Sequence, residues 1–304
     1  MPQQYIHHSY NKFSRTDFDF EEHKGAQVNT QLFEFFDRYT FSNGTPLKQW
    51  VPSNPHFVRS DYRLEKTAVI LGAGPVEGLG ANLSMHAARA GLHVFISGRT
   101  KSDIEKIASK IINEGGKATA FCADATDPQE VSSLVDIAEQ AGPIDLAVYN
   151  AGNAFPGDFI NMSHTYFEEA WKVCTFGGFL FSQNVIKKML PRELGTLLFT
   201  GASASVRGKP NFSAFTAAKA GLRTLSQSLA REFQPKGIHV GHVIIDGGIM
   251  GEKITSNYPD YVASSGIDGL IGLDGISETF MHLYSQPKNA WTHEIDIRTF
   301  KENF

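Results

Sequence analysis

Cysteine is scarce: the 304 residues hold two, Cys122 and Cys174, both in apolar stretches. So small a number excludes a disulfide framework and fits a reducing, cytoplasmic setting. Long apolar runs are missing too. No stretch reaches the length of a membrane span, and the opening MPQQYIHHSYNKFSR is polar where a secretory leader would be apolar. Neither sign of charge dominates. A formal net charge of -4 and a pI near 6.3 leave no basic footprint for nucleic acid. His164, Cys174, His239 and His242 have no metal-ligand spacing, so each reads as structural and no metal is expected. What is present is an ordinary globular composition, 41% hydrophobic and 20% charged, in a chain long enough to bury a large core.

One stretch organises the rest. Residues 67–80 read TAVILGAGPVEGLG. Ala68, Val69, Ile70 and Leu71 make a short, partly β-branched apolar run, the pattern of a strand buried on both faces of a parallel sheet. The run enters Gly72, Gly74, Gly78 and Gly80, and residues 81–90 then read as a helix. A strand, a glycine turn and a helix N-terminus in that order form a phosphate cradle. Glycine lets the backbone come close to a pyrophosphate, and the unpaired N–H groups of the first helical turn meet its charge.

Beyond that stretch, strand and helix signals alternate. Strands are expected at 92–97, 117–122, 143–149, 195–200 and 238–245, with a seventh candidate at 291–297. Helices are expected at 101–114, after the Asp127-Pro128 start signal, at 164–190 and at 214–233. Regular alternation predicts an α/β fold with a doubly wound parallel sheet and ligands at the carboxyl ends of its strands. Residues 1–65 stand apart as an aromatic-rich N-terminal extension, with Phe13, Phe18, Phe20, Phe33, Phe35 and Phe36 among others and a possible short helix at 31–39. Two readings compete for it: an arm over a substrate pocket or a neighbouring subunit, or a patch over exposed core surface.

These residues carry a resemblance. From Lys66 to Phe304 the chain resembles a short-chain dehydrogenase/reductase, which implies a three-layer Rossmann-type domain over residues 66–304. Gly74, Gly78, Leu79 and Gly80 are similar to that family's cofactor signature, with Ala73 where a threonine usually precedes it. Asp124, followed by Ala125, falls where the family places an aspartate on the adenine ring, and Asn150-Ala151-Gly152 matches its central-strand element. Lys219 matches the lysine that holds the nicotinamide ribose, and Ile249 lies in the loop that contacts the nicotinamide amide through its backbone. The family's helix pair, here 164–190 and 214–233, implies a homodimer or homotetramer. A small-molecule substrate is implied as the other partner.

Charge argues the cofactor. A carboxylate after the second strand would bond a ribose 2′-hydroxyl and repel a 2′-phosphate. Here the sequence is Ser97-Gly98-Arg99, and a guanidinium beside a small residue suits a phosphate. NADP(H) is therefore expected.

The family's proton relay is not intact in this sequence. The tyrosine position, four before Lys219, is Phe215, which has no proton to give. The serine position falls on Ala202, with Ser203 beside it as the first substitute and Ser205 as the second. The asparagine position is Cys174, and Asp246 stands where a proline usually precedes Gly247. Asp246 reads either as a catalytic or anchoring carboxylate or as a solvated turn residue. Tyr149 and Tyr166 carry phenols that can replace the missing one. Lys219 and Ser203 are the catalytic candidates. The leading function is an NADP(H)-dependent oxidoreductase acting on a carbonyl/alcohol pair or an activated C=C bond with a modified proton-delivery site. The alternatives are a catalytically inactive dinucleotide-binding sensor or assembly protein and, third, a hydratase or isomerase working through Asp246.

Overall fold

A computed structural model describes residues 65–152, 156–266 and 268–302. Apart from Glu65, the N-terminal extension and its possible helix lie outside the described residues. Seven strands form one parallel sheet: β1 (Thr67–Leu71), β2 (His93–Gly98), β3 (Lys117–Cys122), β4 (Ile144–Tyr149), β5 (Gly195–Thr200), β6 (Ile238–Ile245) and β7 (Glu294–Ile297). Their order is β3-β2-β1-β4-β5-β6-β7, every neighbouring pair parallel. This is the expected doubly wound sheet.

The apolar runs work as the strand period demands. Ala68 and Ile70 point to one face and Val69 and Leu71 to the other, and all four are buried. The first face is covered by α1 (Leu79–Arg89), α2 (Lys101–Asn113) and α9 (Leu273–Ser285), through side chains such as Leu83, Ile107 and Phe280. The second is covered by α3 (Pro128–Ala141), α5 (Gly177–Met189) and α6 (Ser213–Phe233), through Leu134, Phe181 and Leu222. Asp127 starts α3 as its sequence signal predicts, accepting from the Gln129 and Glu130 amides at 2.8 and 3.0 Å ahead of Pro128. Two short helices, α7 (Glu252–Asn257) and α8 (Pro259–Ser265), follow β6.

One expected helix is broken. Residues 164–190 form α4 (His164–Trp171), a π-helical turn (Lys172–Phe176) and α5 rather than one continuous rod. The π turn carries Cys174 inward. It is held by tertiary bonds: the Tyr149 phenol donates to the Val173 carbonyl, and Thr175 Oγ1 donates to the Ala218 carbonyl at 2.7 Å. Such single turns inside α-helices recur at functional sites.

Candidate functional site

Strand order reverses between β1 and β4, the point at which an open α/β sheet leaves a crevice at the carboxyl ends of its strands. On one side stands the glycine turn. Gly72 and Gly74 have φ of +101° and +67°, left-handed backbone that a side chain resists, and a Cβ on Gly72 would overlap the Ala151 amide. Both the Gly72 and Ala73 amides donate to Ser97 O at 2.9 Å, which pins the turn to β2. A Cβ on Gly74 would meet nothing within 4 Å, so this part of the turn faces open space ahead of the α1 N-terminus.

From the turn a line of hydrogen bonds runs across the crevice. Asn150 Nδ2 donates to Gly72 O at 2.7 Å, Thr200 Oγ1 to Asn150 Oδ1 at 2.8 Å, and Lys219 Nζ to Thr200 O at 2.7 Å. Lys219 is buried at 4% exposure. Burial lowers its pKa, against a smaller opposing influence from Cys174. Cys174 Sγ and Lys219 Nζ each lie 3.3 Å from the point a Cβ on Gly152 would occupy, so thiol and ammonium close on the same glycine. Phe215 is half-buried on α6, its ring centroid 5.9 Å from Nζ.

The substitute donors sort themselves by geometry. Ser205 Oγ accepts from the Ala202 amide at 3.1 Å within a short 3-10 turn, Ser203–Ser205, and its side chain is buried. Ser203 is half-buried, and among the described residues no hydrogen bond engages its hydroxyl. Tyr149 is fully buried and its proton goes to Val173 O; burial, then Cys174 and Asp124, raises its pKa well above the usual value. That removes Tyr149 as a substitute acid. Tyr166 is half-buried near Gly157, its pKa raised by burial and by Tyr258.

Arg99 follows β2 and its side chain is 64% exposed; its Nη1 lies 4.0 Å from Asp124 Oδ2 beyond β3. Asp124 Oδ1 accepts from the Thr126 amide and hydroxyl at 2.8 and 2.7 Å. Burial works to raise the Asp124 pKa, but those bonds and Arg99 bring it below the ordinary value. Lys253 in α7, an exposed residue that nothing in the sequence singled out, shares this corner: partial desolvation of its amine and then Arg99 lower its pKa. Ala125 is buried behind Asp124. Ile249 pairs with Ile271 in an isolated bridge, and its carbonyl accepts from the Gly251 amide at 2.8 Å. The Glu252 amide donates to Glu77 O at 2.9 Å, which ties the segment after β6 to the glycine turn. A cavity of about 390 Å³ opens beside that tie, lined by Val76, Glu77, Met250 and Thr255 among others; Lys219, Ser203 and Asn150 do not line it.

The sequence reading of Asp246 is corrected. Asp246 is 1% exposed, not a solvated turn residue, and it is no free carboxylate either. Arg207 grips it with two bonds, and Arg298 Nη2 lies 3.2 Å from Oδ2. Cys122 is exposed at the end of β3 despite its apolar neighbours, whereas Cys174 is buried; both are free thiols. Among the described residues no helix is long and apolar enough to cross a membrane, and no group of three or more His, Cys, Asp and Glu is placed to hold a metal ion.

The short chain dehydrogenase family model matches residues 66–258. The chain belongs to that family. Within it, a versicolorin reductase of Emericella nidulans is 28% identical over 206 residues, covering 66% of this chain and 76% of its own. The crystal structure of a short-chain dehydrogenase from Rhodopseudomonas palustris has a TM-score of 0.67 at 31% identity, over 78% of this chain and all of that one. A 7α-hydroxysteroid dehydrogenase solved with NADH and 7-oxo glycochenodeoxycholic acid has a TM-score of 0.70 at 27% identity, over 77% of this chain and 94% of its own. Dehydrogenases and reductases thus surround this member of an oxidoreductase family.

Proposed function

We propose that the chain is an NADP(H)-dependent oxidoreductase acting on the carbonyl/alcohol pair or an activated C=C bond of a small molecule, with proton delivery rearranged around Phe215. One observation carries the reading. The line Gly72–Asn150–Thr200–Lys219 joins a phosphate-type glycine turn to a buried amine in one crevice.

The residues fit a dinucleotide. The open backbone at Gly74 and the helix start at Gly78, Leu79 and Gly80 suit a pyrophosphate. Arg99, with Lys253 beside it, suits a 2′-phosphate. Asp124 and Ala125 suit the adenine. Asn150, Ala151 and Gly152 would form the floor, Lys219 would hold the nicotinamide ribose, and the Ile249 backbone would meet the amide. When bound, the cofactor supplies the hydride. The NADH of the hydroxysteroid dehydrogenase belongs to that protein; the charge after β2 is what favours NADP(H) here.

Proton delivery then falls to groups other than the missing phenol. The Ser203 hydroxyl is half-buried and uncommitted among the described residues, which fits a donor to a developing alkoxide. Tyr166 is the remaining phenol. Asp246 is neutralised by Arg207 and Arg298, which leaves the hydratase or isomerase reading without its carboxylate. A strip of partly exposed aromatics on α4 and α5 (Phe167, Trp171 and Phe179) supports a homodimer or homotetramer, and the two free thiols fit a cytoplasmic setting.

A second reading, a dinucleotide-binding protein without turnover, is favoured by Phe215 together with the commitment of Tyr149 to Val173. Titration with NADPH and NADH, followed by turnover assays on carbonyl and enone substrates, separates them. Preferential NADPH binding with turnover supports the enzyme, and binding without turnover supports the second reading. Binding of neither dinucleotide defeats both.

A further inference from the structure

His242, on β6, is 0% exposed, and its two ring nitrogens stand in unlike surroundings. Nδ1 lies 3.0 Å from Oε2 of Glu294 on β7. Glu294 is itself held by Arg223 of α6, through Nε and Nη2 at 2.7 Å each. A carboxylate fixed in that way takes its hydrogen bond from Nδ1–H, which sets the tautomer and leaves Nε2 as an acceptor. Yet Nε2 is buried with no hydrogen-bond partner among the described residues. Buried acceptors of this kind are rare and call for a cause.

The place it occupies supplies one. The Nε2 edge lies against Gly201, where a methyl group would overlap it. One residue earlier, Thr200 O accepts from Lys219 Nζ at 2.7 Å. An ammonium has three N–H donors, and this bond uses one of them. An acceptor without a partner among the described residues and an amine with protons to spare therefore border the same peptide, Thr200–Gly201.

We propose that His242 is a positioning residue for Lys219: its Nε2 and the lysine ammonium share one ordered water, so that the Glu294–His242 pair orients the amine. The inference rests on the proposed function only where Lys219 is read as a ribose ligand. The charged groups around the ring agree with it. Lys219 and Arg223 face it from α6 and Glu294 from β7, while β5 brings only Phe199, Thr200 and Gly201. Burial first, then the two cations, outweigh Glu294 and hold the ring neutral, with a pKa of about 4. At neutral pH, Nε2 keeps its lone pair for a hydrogen bond.

Nitrogen-15 NMR of histidine-labelled protein tests this without any cofactor. The Nε2 resonance of His242 is expected to show a hydrogen-bonded acceptor and to move to the free-acceptor position in Lys219→Met; a merely structural histidine would not respond. A resonance unmoved by Lys219→Met overturns the proposal. Should that variant fail to fold, a high-resolution crystal structure of the unaltered chain decides instead. Density for a water bonded to both Nε2 and Nζ supports it, and Nε2 facing only carbon overturns it. Where the unaltered chain binds NADPH, His242→Leu is expected to weaken binding about tenfold, and equal affinities overturn the positioning role. If the unaltered chain binds no dinucleotide, the cofactor reading fails, while the NMR and crystal results still decide the role of His242.

Discussion

Arg207 grips Asp246 through two parallel hydrogen bonds, Nη1 to Oδ2 at 2.9 Å and Nη2 to Oδ1 at 2.7 Å. The pair joins the loop after β5 to the carboxyl end of β6, and Arg298, just beyond β7, reaches the same carboxylate. Three strand ends that bound the candidate site are thereby clasped by one buried acid. Removing one partner of a buried pair leaves the other charged and poorly solvated. Arg207 is 36% exposed, and Arg298 would remain, so solvent screening brings the cost below that of a fully buried pair. Arg207→Ala is expected to lower stability by about 2 kcal/mol. Arg207→Met with Asp246→Leu should lose less than Arg207→Ala alone. Urea denaturation midpoints check both, and a double variant worse than the single one would refute the account.

Arg99 is the residue on which the choice of cofactor turns. Loss of a charge-assisted bond to a 2′-phosphate costs on the order of tenfold or more in affinity. Arg99→Ala is expected to weaken NADPH by about tenfold to a hundredfold and NADH by less than about threefold. Calorimetric titration of both cofactors checks it, and equal losses would rule out the phosphate role.

His242 predicts how stability follows pH. Its pKa is near 6.5 in an unfolded chain and about 4 in the fold. Between those values the unfolded chain holds the extra proton, so stability rises with pH and is lost on acidification from about 6.5 towards 4. A difference of that size corresponds to roughly 3 kcal/mol at most. Denaturation midpoints at several pH values across that window should fall with acidification, and His242→Leu should flatten the fall. An unchanged slope in the variant would assign the acid sensitivity elsewhere.

Phe215→Tyr places a phenol on the turn of α6 that precedes Lys219. A positioned general acid is worth about a hundredfold or more in rate. If the site takes a carbonyl substrate, the variant is expected to raise NADPH-dependent reduction by roughly that factor. No gain in Phe215→Tyr, together with loss of NADPH binding in Lys219→Ala, would mean that another donor has taken over the relay.

Much of this was legible in the residues. The strand boundaries at 117–122, 195–200 and 238–245 coincide with β3, β5 and β6, because glycine and aspartate turn signals bracket each segment; β5 and β6 are buried along their whole length, while β3 is a half-buried edge strand. The glycine turn was legible because left-handed backbone restricts the side chains allowed. The π turn was not. Local preferences in 164–190 favour a plain helix. The break is held from outside by the Tyr149 phenol on Val173 O and by the Ala218 carbonyl on Thr175, and Gly177 allows the close approach, since a methyl there would overlap the Tyr149 hydroxyl. Asp246 misled for a related reason: its partner Arg207 lies 39 residues away, and a carboxylate beside two glycines reads locally as a turn.

The sequence by itself determined the alternation of strand and helix, the phosphate-type turn at residues 72–80 and the phenylalanine four residues before Lys219. These follow from local sterics, side-chain period and side-chain identity, which the neighbouring residues are enough to express. Only the tertiary structure decided which polar groups are committed and which remain available: Tyr149 to Val173, Asp246 to its two arginines, Ser205 to the Ala202 amide, with Ser203 left uncommitted among the described residues and His242 set against Gly201. A group's charge and the destination of its proton depend on burial and on partners brought from distant parts of the chain, and neither is written in the residues next to it.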